Sequence, residues 1–176
     1  MDQIKDSFIE NESITESLKD WDMTKWQWLR LRQLRKMYNC NQIRKKFEKQ
    51  NNIKYDIVVR SRFDIVTNSL DVENIYKTTK NADKKVFLFG GWPCVPPMVF
   101  MDEFICDGFA FGSPRVMDIF SSLYLQEQPY RFKPEYKETW DKFGDNVEYQ
   151  LRTHLENNNI QIHYVGDKRT EYHLWR

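Results

Sequence analysis

Two arginines and an aspartate stand at alternate positions in residues 60–64 (RSRFD), directly after the β-branched run Ile57-Val58-Val59. Because side chains alternate along a strand, Arg60, Arg62 and Asp64 share one side if the strand pitch continues. Arginine binds phosphate in a bidentate geometry, and a neighbouring aspartate can hold a divalent cation that bridges a diphosphate. In open α/β sheets, ligands bind beyond the carboxyl ends of the strands. The pattern predicts a diphosphate site, with an Arg–Asp ion pair at a strand end as the alternative.

A second segment with binding chemistry is residues 107–113 (DGFAFGS). Gly108 and Gly112 flank a short aromatic run, and glycine lets a ligand approach the backbone closely. Ser113 and the proline after it start a predicted helix, whose N-terminus favours anions. Asp107 to Ser113 is therefore a candidate ligand-binding loop, and an ordinary strand–glycine–helix junction is the alternative.

Candidate acid–base groups come from residues 144–148 (GDNVE). Asp145 is either a helix N-cap or a general base. Glu148 is either the back-bonding member of a capping box or a general base that faces a cleft. The histidines have no metal-ligand spacing, so each is interpreted first as a core or surface residue: His154, His163 and His173.

Hydrophobic periodicity and capping residues predict the elements that must position these groups. A long helix, capped by Asp22 or Thr24, runs to about residue 50. Its predicted apolar face comprises Trp26, Leu29, Met37, Cys40 and Phe47. We predict strands at 54–59, 84–89, 105–111 and 160–165, helices at 115–124 and 146–157, and a short helix or loop at 71–79. This order is typical of an α/β fold with a mixed, mostly parallel sheet and flanking helices. The strand at 54–59, with its continuous apolar run, is expected to be central and covered on both faces.

Composition indicates one globular domain, residues 23–176, after an acidic lead-in at 1–22. The 176 residues are 40% hydrophobic and 15% aromatic, which excludes disorder as the main state, and the net charge is +1. Three cysteines without a C-x-x-C pair exclude a disulfide framework or structural zinc and indicate a reducing compartment. No apolar run approaches the roughly 20 residues that span a bilayer. The polar start is not a secretory signal, so we expect a cytoplasmic protein with no transmembrane segment.

Charge is unevenly distributed near the N-terminus. Residues 1–22 carry seven acids and two bases, whereas residues 24–47 carry eight bases and no acid. Arginines interleaved with aromatic residues on the long helix could bind nucleic acid. Because the bases lie all round this helix, a solvated helix is the preferred interpretation, and no nucleic-acid partner is predicted.

Three segments together resemble a known group of families. They are YDIVVRSRFDIV at 55–66, CDGFAFGSPRVMDIFSSLY at 106–124 and GDNVEYQLRTHLENNNI at 144–160. Their order and spacing are similar to the later part of a GT-A domain in glycosyltransferase-like families of giant viruses, protists and bacteria. The nearest is the WavE lipopolysaccharide-synthesis type. Each motif is short, and the resemblance as a whole covers roughly residues 25–165. If the chain is viral, the expected compartment is the host cytoplasm.

The resemblance implies a Rossmann-like fold that binds a nucleotide-sugar and transfers the sugar to a hydroxyl of a glycan, lipid or protein acceptor. Residues 62–64 would take the place of the family's Asp-x-Asp motif. Asp64 would then hold Mn²⁺ or Mg²⁺ against the diphosphate, and Arg60 or Arg62 would contact phosphate.

The remaining roles also follow from the resemblance alone. Residues 107–113 would form the glycine-bearing loop near the donor sugar and the acceptor. Asp145 or Glu148 would deprotonate the acceptor hydroxyl. His163 or His173 would complete the metal site.

The chain departs from the GT-A pattern in two places. Only the second acid of the Asp-x-Asp motif is present, at Asp64. GT-A enzymes open with a β-α-β unit that holds the nucleotide base, whereas the chain before Tyr55 is predicted to supply only helices. A fragment and a reduced version of the fold both fit this departure. The second hypothesis is therefore a non-catalytic binding or interaction protein that keeps part of the fold.

Overall fold

A computed structural model describes residues 25–61, 65–67, 72–80, 82–89, 108–125, 147–165 and 172–174. The chain divides into two compact units. One comprises Met1–Lys54 with Ser121–Asp145, and the other comprises Tyr55–Phe120 with Asn146–Arg176. The predicted boundary at residue 22 lies outside the described residues.

The first unit contains the long helix α1, Lys25–Asn51, as predicted. Its buried stripe is Leu31, Leu34, Met37 and Asn41, whereas Cys40 is exposed. The predicted apolar face is therefore wrong at Cys40, because the stripe continues at the i+4 position from Met37. The rings of Tyr38 and Tyr124 lie 5.8 Å apart within this unit.

The C-terminus of α1 is a Schellman motif. Asn52 takes a left-handed conformation with φ of 50°. The Ile53 N–H then donates to the Glu48 carbonyl oxygen at 3.0 Å. Asparagine tolerates this conformation better than other residues with a Cβ, which explains why the helix ends at Asn51-Asn52.

The second unit holds most of the remaining elements. In chain order they are β1 Val58–Ser61, β2 Ile65–Thr67, α2 Val72–Thr79, β3 Lys85–Phe89, β4 Phe109–Gly112, α3 Pro114–Ser121, α4 Val147–Asn157, β5 Gln161–Val165 and β6 Tyr172–Leu174. The last residue of α3 belongs to the first unit. The main sheet has the order β1-β4-β3-β5, and β2 and β6 form a separate antiparallel pair.

This architecture confirms a mixed α/β fold with a mixed sheet, flanking helices and a long N-terminal helix. The expectation of a mostly parallel sheet is wrong for the described strands. Of their pairings, only β3 with β5 is parallel, and β4 runs antiparallel to both of its neighbours. The chain places β4 between β1 and β3, which sequence order alone does not indicate.

The position of β1 also differs from the expectation. Among the described strands β1 lies at one end of the sheet and pairs only with β4. Val59 is 43% exposed, and Ser61 is exposed as well. The apolar run Ile57-Val58-Val59 is therefore half-buried rather than covered on both faces, because a strand at the end of a sheet has a neighbour on one side only.

Cross-strand register assigns the side chains to two faces of the sheet. The α2 face carries Phe87 and Phe111, whose stacked rings lie 5.2 Å apart and which cluster with Ile75 of α2. The α3 face carries the row Arg60, Ala110, Leu88 and Tyr164, one residue from each strand. Val116 and Phe120 of α3 pack on this second face, so helices cover the sheet on both sides.

Candidate functional site

The carboxyl ends of three strands lie at one edge of the main sheet. Since β4 is antiparallel to β1 and β3, and β3 is parallel to β5, the strands β1, β3 and β5 all point the same way. Ser61, at the end of β1, pairs with Phe109, at the start of β4. We call this the carboxyl edge, meaning the border of the sheet at which β1, β3 and β5 terminate and not its side strand. It is where α/β sheets bind ligands.

Two of the predicted motifs adjoin the carboxyl edge. Arg62 and Asp64 follow Ser61 in the sequence, and Asp107 directly precedes Gly108, which is buried beside the start of β4. The topology of β1 and β4 therefore brings the ends of both motifs together. Arg62, Asp64 and Asp107 themselves lie outside the described residues.

Glu148 lies in the first turn of α4, the helix that precedes β5. It is half-buried. A tight turn with Asn159 at φ of 58° reverses the chain into β5, so α4 and β5 run antiparallel. Eleven helical residues and five strand residues both span about 16 Å, so we expect the start of α4 to lie near the end of β5. Asp145 lies outside the described residues.

Arg60 is positioned by packing on α3. Its guanidinium carbon lies 5.9 Å from the centroid of the Phe120 ring, and the residue is half-buried. A cation over an aromatic face is attracted by the ring quadrupole. Arg60 therefore places its positive charge on the α3 face of the sheet, one residue before the carboxyl edge.

Gly112 and Ser113 lie at the opposite edge from Gly108. A Cβ on Gly112 would lie 3.2 Å from Val116 Cγ1 and 3.3 Å from the Lys85 carbonyl oxygen, so the glycine allows α3 to approach β4. Ser113 Oγ accepts a hydrogen bond from the Val116 N–H at 3.4 Å, which makes Ser113 the N-cap of α3 as predicted. These contacts account for both residues without a ligand.

His163 lies on the α2 face, opposite to Arg60. Its ring is 5.7 Å from that of Phe87, in the middle of β5. Within the described ranges no three His, Cys, Asp or Glu side chains are grouped as a metal site would require. The described residues therefore do not themselves form a divalent-cation site, and the predicted pair of Asp64 and His163 depends on a residue outside them.

His154 is a core histidine, which confirms its first interpretation. Its side chain is 2% exposed, and its Nε2 atom lies 2.9 Å from the Ile119 carbonyl oxygen. Because a carbonyl only accepts, Nε2 carries the proton. Burial lowers the pKa of His154 below its usual 6.5, and the hydrogen bond to Ile119 opposes this effect in part.

Sequence reasoning missed a groove between α4 and β5. Its volume is about 600 Å³, and it is lined by Arg152, Glu156, Asn159, Ile160, Gln161, Ile162 and Tyr164. Arg152 Nε donates to Glu156 Oε1 at 2.8 Å, and Tyr164 is 44% exposed. The available signal was the i, i+4 spacing of Arg152 and Glu156, together with the alternation of Ile162 and Tyr164 along β5.

These observations define a mixed α/β protein whose candidate site adjoins the carboxyl edge of its main sheet. No family model matches the chain, and neither the curated proteins nor the solved structures that were compared contain a match. None of the described helices combines the length and the apolar character needed to cross a membrane.

Proposed function

We propose that this protein is a GT-A-like glycosyltransferase that moves a sugar from a nucleotide-sugar donor to a hydroxyl acceptor. The observation that carries the proposal is the topology of the carboxyl edge. Ser61, directly after Arg60 in β1, pairs here with Phe109, which follows the buried Gly108. We expect the first turn of α4, with Glu148, at the same end of the sheet.

The chemistry follows from the residue types. The bond between the sugar and the diphosphate breaks, so negative charge develops on the leaving nucleoside diphosphate. Arg60 and Arg62 supply positive charge to stabilise it. Mn²⁺ or Mg²⁺ held by Asp64, when bound, would neutralise further phosphate charge. Glu148 or Asp145 would accept the proton of the acceptor hydroxyl, which attacks the sugar carbon.

The groove between α4 and β5 would hold the donor sugar or the acceptor. It lies on the α3 face, because Tyr164 shares the cross-strand row of Arg60. Planar polar side chains and a half-exposed tyrosine ring line it, and such groups hydrogen-bond hydroxyls and pack on a sugar ring. A glycan, lipid or protein acceptor all fit this description.

A second candidate function is a non-catalytic binding protein with part of the same fold. Two observations favour it. Arg60 and His163 lie on opposite faces of the sheet, and Gly112 with Ser113 lies at the edge away from Gly108. Packing and capping therefore account for Gly112 and Ser113, and Arg60 and His163 do not face one shared site.

Thermal unfolding against a panel of nucleotide-sugars tests the proposal. UDP-, GDP- and CMP-sugars are added with and without Mn²⁺. A donor present at 100 times its Kd adds about 2.7 kcal/mol to the free energy of unfolding, which raises Tm by about 5–10 °C for a chain of this size. We expect one nucleotide class to give this shift, and Mn²⁺ to increase it.

The variant Asp64→Asn tests whether Asp64 serves metal binding or folding. It should abolish the Mn²⁺-dependent part of the shift while the Tm without donor stays unchanged. A drop in that basal Tm would instead make Asp64 a structural residue. If no donor stabilises the wild type at concentrations above about 1 mM, the transferase proposal fails and the binding-protein alternative takes its place.

A further inference from the structure

Positive charge is concentrated in α1. Nine of the 27 lysines and arginines but only one of the 26 acids lie in Lys25–Asn51, so this helix carries a net charge of +8 and the rest of the chain −7. A nearly neutral protein thus contains one strongly basic helix, which its overall charge of +1 conceals.

The exposed charges of the C-terminal half of α1 are lysines. Lys45, Lys46 and Lys49 are exposed, and their i, i+1 and i+4 spacing puts them on neighbouring parts of the helix surface. The arginine of this region is turned inward. Arg44 donates to Asn41 Oδ1 at 2.9 Å and to Glu48 Oε2 at 2.7 Å, with only 11% of its side chain exposed.

An exposed isoleucine adjoins these lysines. The Schellman bond from Ile53 N–H to the Glu48 carbonyl folds the chain back onto the last turn of α1. The isoleucine is nevertheless 41% exposed, and Lys54 after it is exposed too. We call the set Lys45, Lys46, Lys49, Ile53 and Lys54 the lysine–isoleucine end of α1.

We propose that the lysine–isoleucine end docks on the surface of an anionic lipid bilayer. Clustered lysines are attracted to the negative surface potential of such a membrane. Their alkyl chains can lie against apolar surface while the ammonium groups contact the lipid headgroups. Ile53, which lies between Lys49 and Lys54 in the sequence and is exposed, gains by entering the interface.

These features favour a bilayer over a nucleic acid. Phosphate recognition in nucleic acids relies heavily on arginine, and Arg44 is occupied within the helix. Ile53 has no hydrogen-bonding group for a phosphate. The proposal does not depend on the transferase function, because every residue in it belongs to the first unit.

Vesicle co-sedimentation of the full chain tests the inference. Vesicles of phosphatidylcholine alone are compared with vesicles that also contain phosphatidylserine. We expect binding to the second kind only, weakening as salt screens the charges. The triple variant Lys45→Gln, Lys46→Gln, Lys49→Gln should lower the partition coefficient about a hundred-fold, since each lysine near the surface contributes about five-fold. Ile53→Ser should lower it by a smaller factor with all charges kept.

A matched control removes the same charge elsewhere. Lys77→Gln, Lys80→Gln, Lys84→Gln replaces three exposed lysines of the second unit and should leave vesicle binding unchanged. Equal losses in both triple variants would overturn the proposal, because net charge rather than this surface would then determine binding. Absence of binding to phosphatidylserine vesicles would also overturn it. Salt-sensitive binding of α1 to a duplex oligonucleotide in that case would reassign the basic surface to nucleic acid.

Discussion

The imidazole of His154 in α4 donates from Nε2 to the carbonyl oxygen of Ile119 in α3, across 2.9 Å. This hydrogen bond joins two helices that cover one face of the sheet. It satisfies a carbonyl in the last turn of α3. His154 also accepts at its own carbonyl oxygen from Asn158 Nδ2 at 2.8 Å, so one buried residue ties α3, α4 and the following turn together.

This contact predicts that acid destabilises the second unit. The folded pKa of His154 lies below 6.5 because burial disfavours the charged ring. The unfolded chain therefore binds the proton first as the pH falls. Stability is complete above pH 6.5, declines below it and levels off once the folded pKa is passed. Urea midpoints measured at about pH 7.5 and about pH 5.5 should differ in this direction.

The variant His154→Gln isolates this contribution. Glutamine keeps an N–H donor for Ile119 and does not titrate. The urea midpoint of His154→Gln should therefore fall less than that of the wild type between the two pH values. His154→Ala removes the donor and leaves a cavity, which should cost about 2–4 kcal/mol at neutral pH. An identical pH dependence in wild type and His154→Gln would contradict the assignment.

A side chain at position 112 should be tolerated only if α3 moves away from β4. A Cβ would approach Val116 Cγ1 to 3.2 Å, and Val116 is fully buried. Gly112→Ala should therefore lower the free energy of unfolding by about 1–3 kcal/mol. In the double variant with Val116→Ala the contact with Cγ1 is removed while that with the Lys85 carbonyl oxygen stays, so the combined loss should be about 1 kcal/mol smaller than the sum of the single losses. Strict additivity in urea denaturation would show that the two residues do not compete for this space.

Ser113 should matter for stability and not for donor binding. Its Oγ caps α3, so Ser113→Ala should cost about 1 kcal/mol, whereas Ser113→Asp should cost little because aspartate is an equally good cap. If the alanine variant instead keeps full stability but weakens donor binding, the ligand-binding interpretation of this residue replaces the capping one.

The turn after α4 should depend on the left-handed conformation of Asn159. Its φ of 58° suits glycine and asparagine, and the Ile160 N–H next to it bonds to the Leu155 carbonyl at 2.9 Å. Asn159→Gly should be neutral or slightly stabilising, and Asn159→Ala should cost about 1–2 kcal/mol. The matched pair Asn52→Gly and Asn52→Ala, at the residue directly after α1, should behave alike. Equal stabilities of the glycine and alanine variants would argue against the conformation.

Local signals predicted most of the described elements. Ser113 marks a helix start that the structure confirms, because a capping residue acts within one turn of the backbone. The sheet order could not be predicted in the same way. The pairing of β4 between β1 and β3 depends on contacts between distant segments, and it puts β1 at one end of the described sheet.

The same distinction between local signals and long-range contacts applies to the candidate site. Residue types placed Arg60 and Gly108 in ligand-binding motifs, and the topology brings both motifs toward one edge. The groove by Tyr164 arises only when α4 folds back on β5, so neither segment indicated it alone. His163 and Arg60 are separated by strand alternation, which follows from the register and not from their chemistry.

The most direct test of the central claim is the Kd of a stabilising nucleotide-sugar, measured by titration calorimetry. Arg62→Gln is compared with Arg115→Gln, which removes an exposed arginine of α3 in the same unit. A lost charge-assisted phosphate contact should weaken binding at least tenfold in Arg62→Gln. The Arg115→Gln variant should bind like the wild type. Equal affinities in all three proteins would contradict a diphosphate site at the carboxyl edge.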